Sequence, residues 1–451
     1  MDVHFISIGG SVMHQLAIAL KQKGYHVTGT DDEIFEPARA NLAKEGLLQA
    51  KMGWDTNMIH AGLDAVILGM HAKADNPELQ KAVALGLKIY SFPEYIYNES
   101  IQKTRIAVGG SHGKTTTTSM IMHVLKAAGK DFDYLVGAKL DGFGHSVKIT
   151  DAPLIVCEAD EYPASTLEKR PKFHFLFPHV AIITGIAWDH INVFPTFDIY
   201  LEQFAIFIQK IEAGGLLIYN ETDAVLTALV AKHKRADLRY QPYAIPPHAI
   251  ANGTTTVQLG KAAANLKVFG NHNLLNLHAA YFACQQAGVA EAAFVQAIST
   301  FTGAAKRLEV LANNAITTVY RDFAHAPSKV KATIEAVKQQ YPARKLLAVL
   351  ELHTFSSLNG DFMREYNGAM EMADGAVVFY ANHALELKRM PPLATEKVIA
   401  GFNKPGLVVI NDKQALLSWL QQQNYTDANL LLMSSGNYDG LDIGALVGGI
   451  V

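Results

Sequence analysis

Glycine, lysine and threonine fall together in Val108-Gly109-Gly110-Ser111-His112-Gly113-Lys114-Thr115-Thr116-Thr117-Thr118, a grouping that suits a polyphosphate. Glycines let backbone N–H groups approach an anion closely. A helix start adds a favourable dipole, a lysine neutralises phosphate, and a threonine hydroxyl ligates Mg²⁺. An apolar run, Arg105 to Val108, leads in, and a helix-forming run, Ser119 to Ala128, leads out. The order is therefore strand, glycine turn, helix. The general phosphate-loop pattern wants a glycine where Val108 stands, so glycines 109 and 110 make a shorter loop. The stretch predicts a bound nucleoside triphosphate and is silent on the reaction.

Polar residues recur at the ends of other apolar runs. Leu154-Ile155-Val156-Cys157 reads as a buried strand delivering Glu158, Asp160 and Glu161 at its C-terminal end, the edge where parallel α/β sheets bind ligands. The run from Val180 repeats the arrangement, with Asp189 and His190 at its tip. Carboxylates and an imidazole beside a triphosphate suit hard divalent ions; taken singly they are also a solvated loop and a packed histidine. Gly270-Asn271-His272-Asn273-Leu274-Leu275-Asn276 opens a helix predicted to run to Ala287. Asn273 and Asn276 share one face of it, which suits a base edge, and an asparagine cap explains them equally well. The last third offers tips at Asp322-Phe323-Ala324-His325, at Glu351 and His353, and at Ser434-Ser435-Gly436-Asn437, while Asn411-Asp412 reads as an ordinary turn.

These tips need sheets to carry them. At 451 residues the chain predicts two or three domains, and 49 % hydrophobic with 18 % charged residues suits a globular α/β enzyme. A formal net charge of −3 argues against a nucleic-acid-coating surface. Cys157 and Cys284 read as buried free thiols of a reducing compartment. No membrane span or leader peptide is expected, and the protein reads as cytoplasmic. Three segments are predicted, 1–102, 103–301 and 302–451. In the first, a strand from Val3 runs into Gly9-Gly10-Ser11, a helix spans Met13 to Lys23, and the strand His26 to Thr30 ends at Asp31. That resembles a nucleotide-holding Rossmann-like unit, yet the third fingerprint glycine is missing, so an ordinary βα turn fits as well and a nicotinamide site is disfavoured. Strand candidates in the third segment are 316–320, 346–350, 376–379, 407–410 and 430–433.

Taken in order, these pieces resemble the Mur ligases, the ATP-dependent amide-forming enzymes of peptidoglycan synthesis. Gly110 to Thr117 is similar to the family's phosphate loop, Glu158-Ala159-Asp160-Glu161 to its acidic motif, and Asp189-His190 to its metal-site pair. Gly270-Asn271-His272-Asn273 resembles the nucleotide-base motif, Lys306-Arg307-Leu308-Glu309 the hinge arginine motif, and Asp322 to His325 the third-domain motif. The resemblance implies an α/β fold of three domains: a Rossmann-like UDP-sugar domain, a central phosphate-loop ATPase domain and a Rossmann-like C-terminal ligase domain. It implies ATP held by Gly110, Ser111, His112, Gly113, Lys114, Thr115, Thr116, Asn273, Asn276, Arg307 and Asp322. Mg²⁺ would be held by Thr115, Glu158 and His190, and the UDP-sugar by Gly9, Gly10, Ser11 and Asp31. Lys114, His190 and His325 carry the implied catalytic roles.

The implied substrates are UDP-N-acetylmuramate and an amine, either a tripeptide or L-alanine, in a monomer or weak homodimer that needs neither nucleic acid nor membrane. Several family members carry a carbamylated lysine where this chain has Phe204. Its absence resembles the alanine-adding branch and the branch that reattaches a preformed tripeptide. Phe204, Asp322-Phe323-Ala324-His325, Leu350-Glu351 and the ending Ser434 to Gly440 favour the tripeptide branch. Ala326, Lys306, Leu352 and His353 depart from its pattern, the last two replacing a Pro-Arg pair. Asp75-Asn76-Pro77, superficially like another branch's diaminopimelate motif, reads as a helix start.

Overall fold

The computed structural model describes residues 1–70, 72–137, 140, 142–165, 167–188, 193–303 and 307–450. Asp189, His190 and Lys306, singled out above, lie outside them. Contacts divide the chain into two units, 1–245 with 275–298, and 246–274 with 299–451.

The first unit carries two sheets. A four-stranded parallel sheet runs in the order His26–Thr30, Asp2–Ile6, Ala65–Leu68, Ile89–Ser91. The helix Met13–Gln22 follows the first strand and stops before Gly24, whose φ of +96° ends helical geometry. Asn76 caps the helix Pro77–Ala84, its side chain accepting from the Glu78 and Leu79 amides at 3.0 Å, so the Asp-Asn-Pro stretch is a helix start as read.

The second sheet has seven strands, in the order Arg239–Tyr243, Leu216–Asn220, Val180–Ile183, Thr104–Gly109, Leu154–Glu158, Asp133–Leu135, Val147–Lys148. All pairs are parallel except the last. The phosphate-loop strand is therefore central, flanked by the strand ending at Glu158 and the strand ending at Ile183. Register pairs Val108 with Glu158 and Gly109 with Ile183, which brings these strand tips to one edge. Beneath them Phe173, Tyr200, Phe204 and Phe207 are fully buried, with Phe204 edge-on to Phe173 at 5.5 Å and to Tyr200 at 5.2 Å.

The second unit holds an antiparallel three-stranded sheet, His248–Ala251, Thr254–Leu259 and Ala262–Leu266, and a six-stranded one. The latter runs Glu309–Asn313, Thr317–Asp322, Ala428–Met433, Lys345–Glu351, Gly375–Phe379, Val408–Ile410, with only the first pair antiparallel. Each of the five strands expected from sequence is present. Asn411-Asp412 corrects the expectation of an ordinary turn: the Asp412 carboxylate accepts from the Ala415 amide at 2.8 Å and caps the helix Lys413–Gln421. Both cysteines are free and buried, and burial pushes the Cys157 thiol up to about 12, leaving it unreactive.

Candidate functional site

The loop after Gly109 turns on two glycines. Gly110 has φ +127° and Gly113 +82°, both in the region L-residues avoid. Gly113 is the N-cap of the helix Lys114–Ala127, so the free amides of that first turn face the loop. Thr184 staples the loop to the next strand: its hydroxyl donates to the His112 carbonyl, and its amide bonds Gly109 O at 3.0 Å. Ser111 faces inward, its hydroxyl 2.8 Å from Tyr200 OH and accepting from the Ala187 amide at 2.8 Å. That makes Ser111 a brace of the loop. Tyr200 lies in no motif, and Thr184, although inside the run that starts at Val180, has no role that the sequence alone suggests. His112 Nδ1 is 2.7 Å from Ser111 O, and Thr116 is buried at the helix start.

Lys114 folds over the loop, donating to Gly110 O at 2.7 Å and to Glu161 Oε2 at 2.7 Å. Burial by itself would lower its pKa. The carboxylates of Glu161, Asp160 and Glu158 outweigh that and raise it, so the ammonium stays charged. Thr115 Oγ1 donates to Glu158 Oε1 at 2.6 Å, and the Gly137 amide holds Oε2 at 2.7 Å. Even so, burial and then Asp160 push the Glu158 carboxyl up. Three acids, Glu158, Asp160 and Glu161, face two lysines, Lys114 and Lys172, the latter 3.3 Å from Asp160, so the site stays short of positive charge. Among the described residues no group of three or more His, Cys, Asp or Glu is arranged to hold a metal.

The helix Asn271–Gln286 carries the two asparagines to different tasks. Asn276 Oδ1 accepts from Thr117 Oγ1 at 3.2 Å and lies so close to Gly113 that a Cβ there would sit 2.3 Å from it. Asn273 instead donates to Phe269 O at 2.8 Å. In the first sheet, the Gly9 amide donates to Asp31 Oδ2 at 2.7 Å, and a Cβ on Gly9 would meet that oxygen at 2.9 Å. Gly10 O receives His14 Nδ1 at 2.8 Å, and Ser11 is exposed.

Burial, together with Asp32, raises the Asp31 carboxyl to about 6, against the Gly9 bond that lowers it. A raised carboxyl favours the protonated folded state, so its ionisation costs stability as pH rises from about 4 through about 6. A ¹³C-carboxyl titration of the unliganded protein should show Asp31 with its midpoint near pH 6; a midpoint below 4 contradicts this account.

In the second unit Asp322 is buried at a strand end. It accepts from the Leu308 amide at 2.6 Å and the Ala324 amide at 2.7 Å, while Arg307 lies 5.0 Å from the Phe323 ring centroid. Burial raises its pKa against the opposing pull of Arg307 and those amides. His325 Nδ1 is 2.9 Å from Phe323 O. Along the same edge Glu351 accepts from the Ser434 hydroxyl and, at 2.8 Å, from the Tyr438 amide, with His353 Nδ1 3.9 Å away. Three polar strand tips read from sequence thus meet at one edge.

A glycine turn at a helix start, braced by an acid-bearing neighbouring strand, has the shape of a nucleoside triphosphate site. Family comparison gives its class. Residues 2–100 match the Mur ligase family catalytic domain, 108–284 the Mur ligase middle domain, and 306–436 the Mur ligase glutamate ligase domain. The chain is 32 % identical to UDP-N-acetylmuramate–L-alanine ligase of an Arthrobacter species over 83 % of this chain and 80 % of that one. It is 29 % identical, over 97 % of both chains, to UDP-N-acetylmuramate–L-alanyl-γ-D-glutamyl-meso-2,6-diaminoheptandioate ligase of Haemophilus influenzae. A crystal structure of a murein peptide ligase from Psychrobacter arcticus shares the fold, with TM-score 0.63 and 23 % identity over 100 % of this chain and 98 % of that one. The chain belongs to the Mur ligase family and is an ATP-dependent amide ligase of three-domain α/β architecture. None of its helices, among the described residues, is long and apolar enough to cross a membrane.

Proposed function

We propose that the chain joins the lactyl carboxylate of UDP-N-acetylmuramate to the amine of L-alanyl-γ-D-glutamyl-meso-diaminopimelate, with ATP cleaved to ADP and phosphate. The observation that carries this is the end-to-end match to the tripeptide ligase of Haemophilus influenzae, over 97 % of both chains. Phe204, buried here, supports it because a phenylalanine at this place resembles the tripeptide branch; the missing carbamylated lysine alone fits the alanine branch as well. The domains are taken as 1–102, 103–301 and 302–451, in a cytoplasmic monomer or weak homodimer.

The chemistry asks two anions to meet. The lactyl carboxylate attacks the γ-phosphorus, ADP leaves with the electron pair of the broken O–P bond, and an acyl phosphate results. The uncharged amine then adds to the acyl carbon, and phosphate departs with the C–O electron pair and takes up the proton that the nitrogen releases, leaving the amide and hydrogen phosphate. Lys114 neutralises the β- and γ-phosphates, and the helix start at Gly113 supplies backbone donors. The oxygen donors Thr115 and Glu158 fit Mg²⁺, because their site is short of positive charge; with His190 they would hold it. When bound, that ion neutralises phosphate charge. Gly9, Gly10, Ser11 and Asp31 hold the UDP-sugar in this reading. Asn273, Asn276, Arg307 and Asp322 serve ATP, and His325 serves the reacting groups.

L-Alanine is the second reading, favoured by the 32 % identity to an alanine ligase and by Leu352-His353 in place of a Pro-Arg pair. Assaying ADP release with UDP-N-acetylmuramate, ATP, Mg²⁺ and each amine separates the two. The tripeptide should give a kcat/KM at least tenfold above that of L-alanine; the reverse order transfers the chain to the alanine branch.

A further inference from the structure

A pocket in the first unit is lined by Val12 and by Phe92, the first residue of the helix Phe92–Ser100, from the side of the first sheet, and by Gly137, Glu158, Asp160 and Lys172 from the side of the second. Glu158 ties it to the phosphate loop through Thr115. Val12 directly follows Gly9-Gly10-Ser11. The pocket thus lies where the proposed sugar turn meets the proposed phosphate site. Among its described lining residues, Lys172 is the one cation.

The chain builds this placement deliberately. After Glu158 it loops out and returns, and Pro163 bridges to Pro171. The Lys172 amide bonds Tyr162 O at 2.8 Å and the Phe173 amide bonds Asp160 O at 3.1 Å. Phe173 anchors the return in the core, stacked on Phe207 at 4.6 Å. A rigid backbone therefore projects a long cationic side chain into an acid-lined pocket. There its ammonium rests 3.3 Å from Asp160 Oδ2, with both side chains partly exposed. Such a pair adds little to folding, so folding alone gives a weak reason for it. Lys114 is already engaged with Glu161 and Gly110 O on the phosphate side. An incoming carboxylate that must pass Glu158 and Asp160 gains from a cation fixed on its own side of the pocket, and Lys172 is placed there.

We propose that Lys172 is a further catalytic residue: its ammonium leaves Asp160 to bind the lactyl carboxylate of the sugar nucleotide and aim it at the γ-phosphorus. This rests on the reading above. Lys172 keeps its proton throughout; the carboxylate oxygen forms the new bond to phosphorus, and the bridging oxygen leaves with ADP. As the carboxylate becomes the acyl phosphate, the ammonium continues to donate to its acyl oxygens.

The test compares the full-length wild type with Lys172→Met, Lys172→Arg, Asp160→Asn and the Lys172→Met/Asp160→Asn double variant, each checked for an unchanged thermal transition. Lys172→Met should raise KM for UDP-N-acetylmuramate at least tenfold and lower kcat about a hundredfold, with KM for ATP within twofold. Lys172→Arg should recover a substantial part of both. If Lys172 only neutralised Asp160, the double variant would return to the activity of Asp160→Asn alone; the proposal expects it to stay as slow as Lys172→Met. Rescue in the double variant, or a Lys172→Met enzyme within twofold of wild type, overturns the assignment and leaves the ligase reading intact. Failure of the wild type itself to release ADP with any amine overturns that reading and this assignment together.

Discussion

Lys114→Met should lower ADP release by about a thousandfold or more, the scale expected when a preorganised charge aimed at a transferring phosphoryl group is removed. Lys114 sits between the Gly110 carbonyl and a carboxylate whose side chain is only 1 % exposed, Glu161. Deleting the cation therefore removes the proposed phosphate partner and also strands a buried acid. Breaking one side of such a pair costs about 3–5 kcal/mol unless the acid takes up a proton. Stability and catalysis can be separated by the Lys114→Met/Glu161→Gln double variant. The second change neutralises the stranded carboxylate, so the thermal transition should move back toward wild type while ADP release stays low. If Lys114→Met or the double variant, folded at the assay temperature, kept more than a tenth of wild-type turnover, the role assigned to this lysine would be wrong.

The second large effect is expected from a single methyl group. A Cβ at Gly110 would stand 2.1 Å from Thr184 Oγ1 and 2.9 Å from the Thr184 amide nitrogen, at a φ of +127° that an alanine resists. Thr184 cannot simply step aside, because it holds the Gly109 and His112 carbonyls. Gly110→Ala should cost about 3 kcal/mol of stability through strain and displacement of the loop. It should also weaken ATP binding at least a hundredfold, since the backbone donors shift. Gly109→Ala is the control: its Cβ would meet Phe207 at 3.4 Å and Phe173 at 3.5 Å, ordinary contact distances. Denaturant unfolding and nucleotide titration of the two variants decide the matter. Equal stability in Gly110→Ala and Gly109→Ala would contradict the geometry.

Sequence made much of this legible because local chemistry and topology agree at the phosphate loop. Strand, glycines and helix start are contiguous there, so Gly110, Gly113 and Lys114 could be read without tertiary knowledge. Parallel strands ending in Glu158 and Asp322 were visible for the same reason: long apolar runs closing on charged residues. The segment from 210 to 266 went unread, although Asn252-Gly253, with φ of +51° and +71°, joins two antiparallel strands and is a strong hairpin signal. The flanking strands, His248–Ala251 and Thr254–Leu259, carry few large apolar residues, so periodicity was faint. Asn273 shows the other limit. Helical spacing placed it beside Asn276, yet its amide turns back to Phe269 O, a contact set by the preceding loop and invisible to periodicity. Thr184, Tyr200 and Lys172 gain meaning only when the sheet brings distant strands together, and no motif marks them.

The central claim is that a carboxylate on the sugar nucleotide is phosphorylated before the amine arrives. Its most direct test uses UDP-N-acetylmuramate labelled with ¹⁸O in both lactyl carboxylate oxygens, with ATP, Mg²⁺ and tripeptide. Activation through an acyl phosphate predicts inorganic phosphate carrying one ¹⁸O and an amide product retaining the other, read by mass spectrometry. Unlabelled phosphate formed alongside the amide product would contradict it.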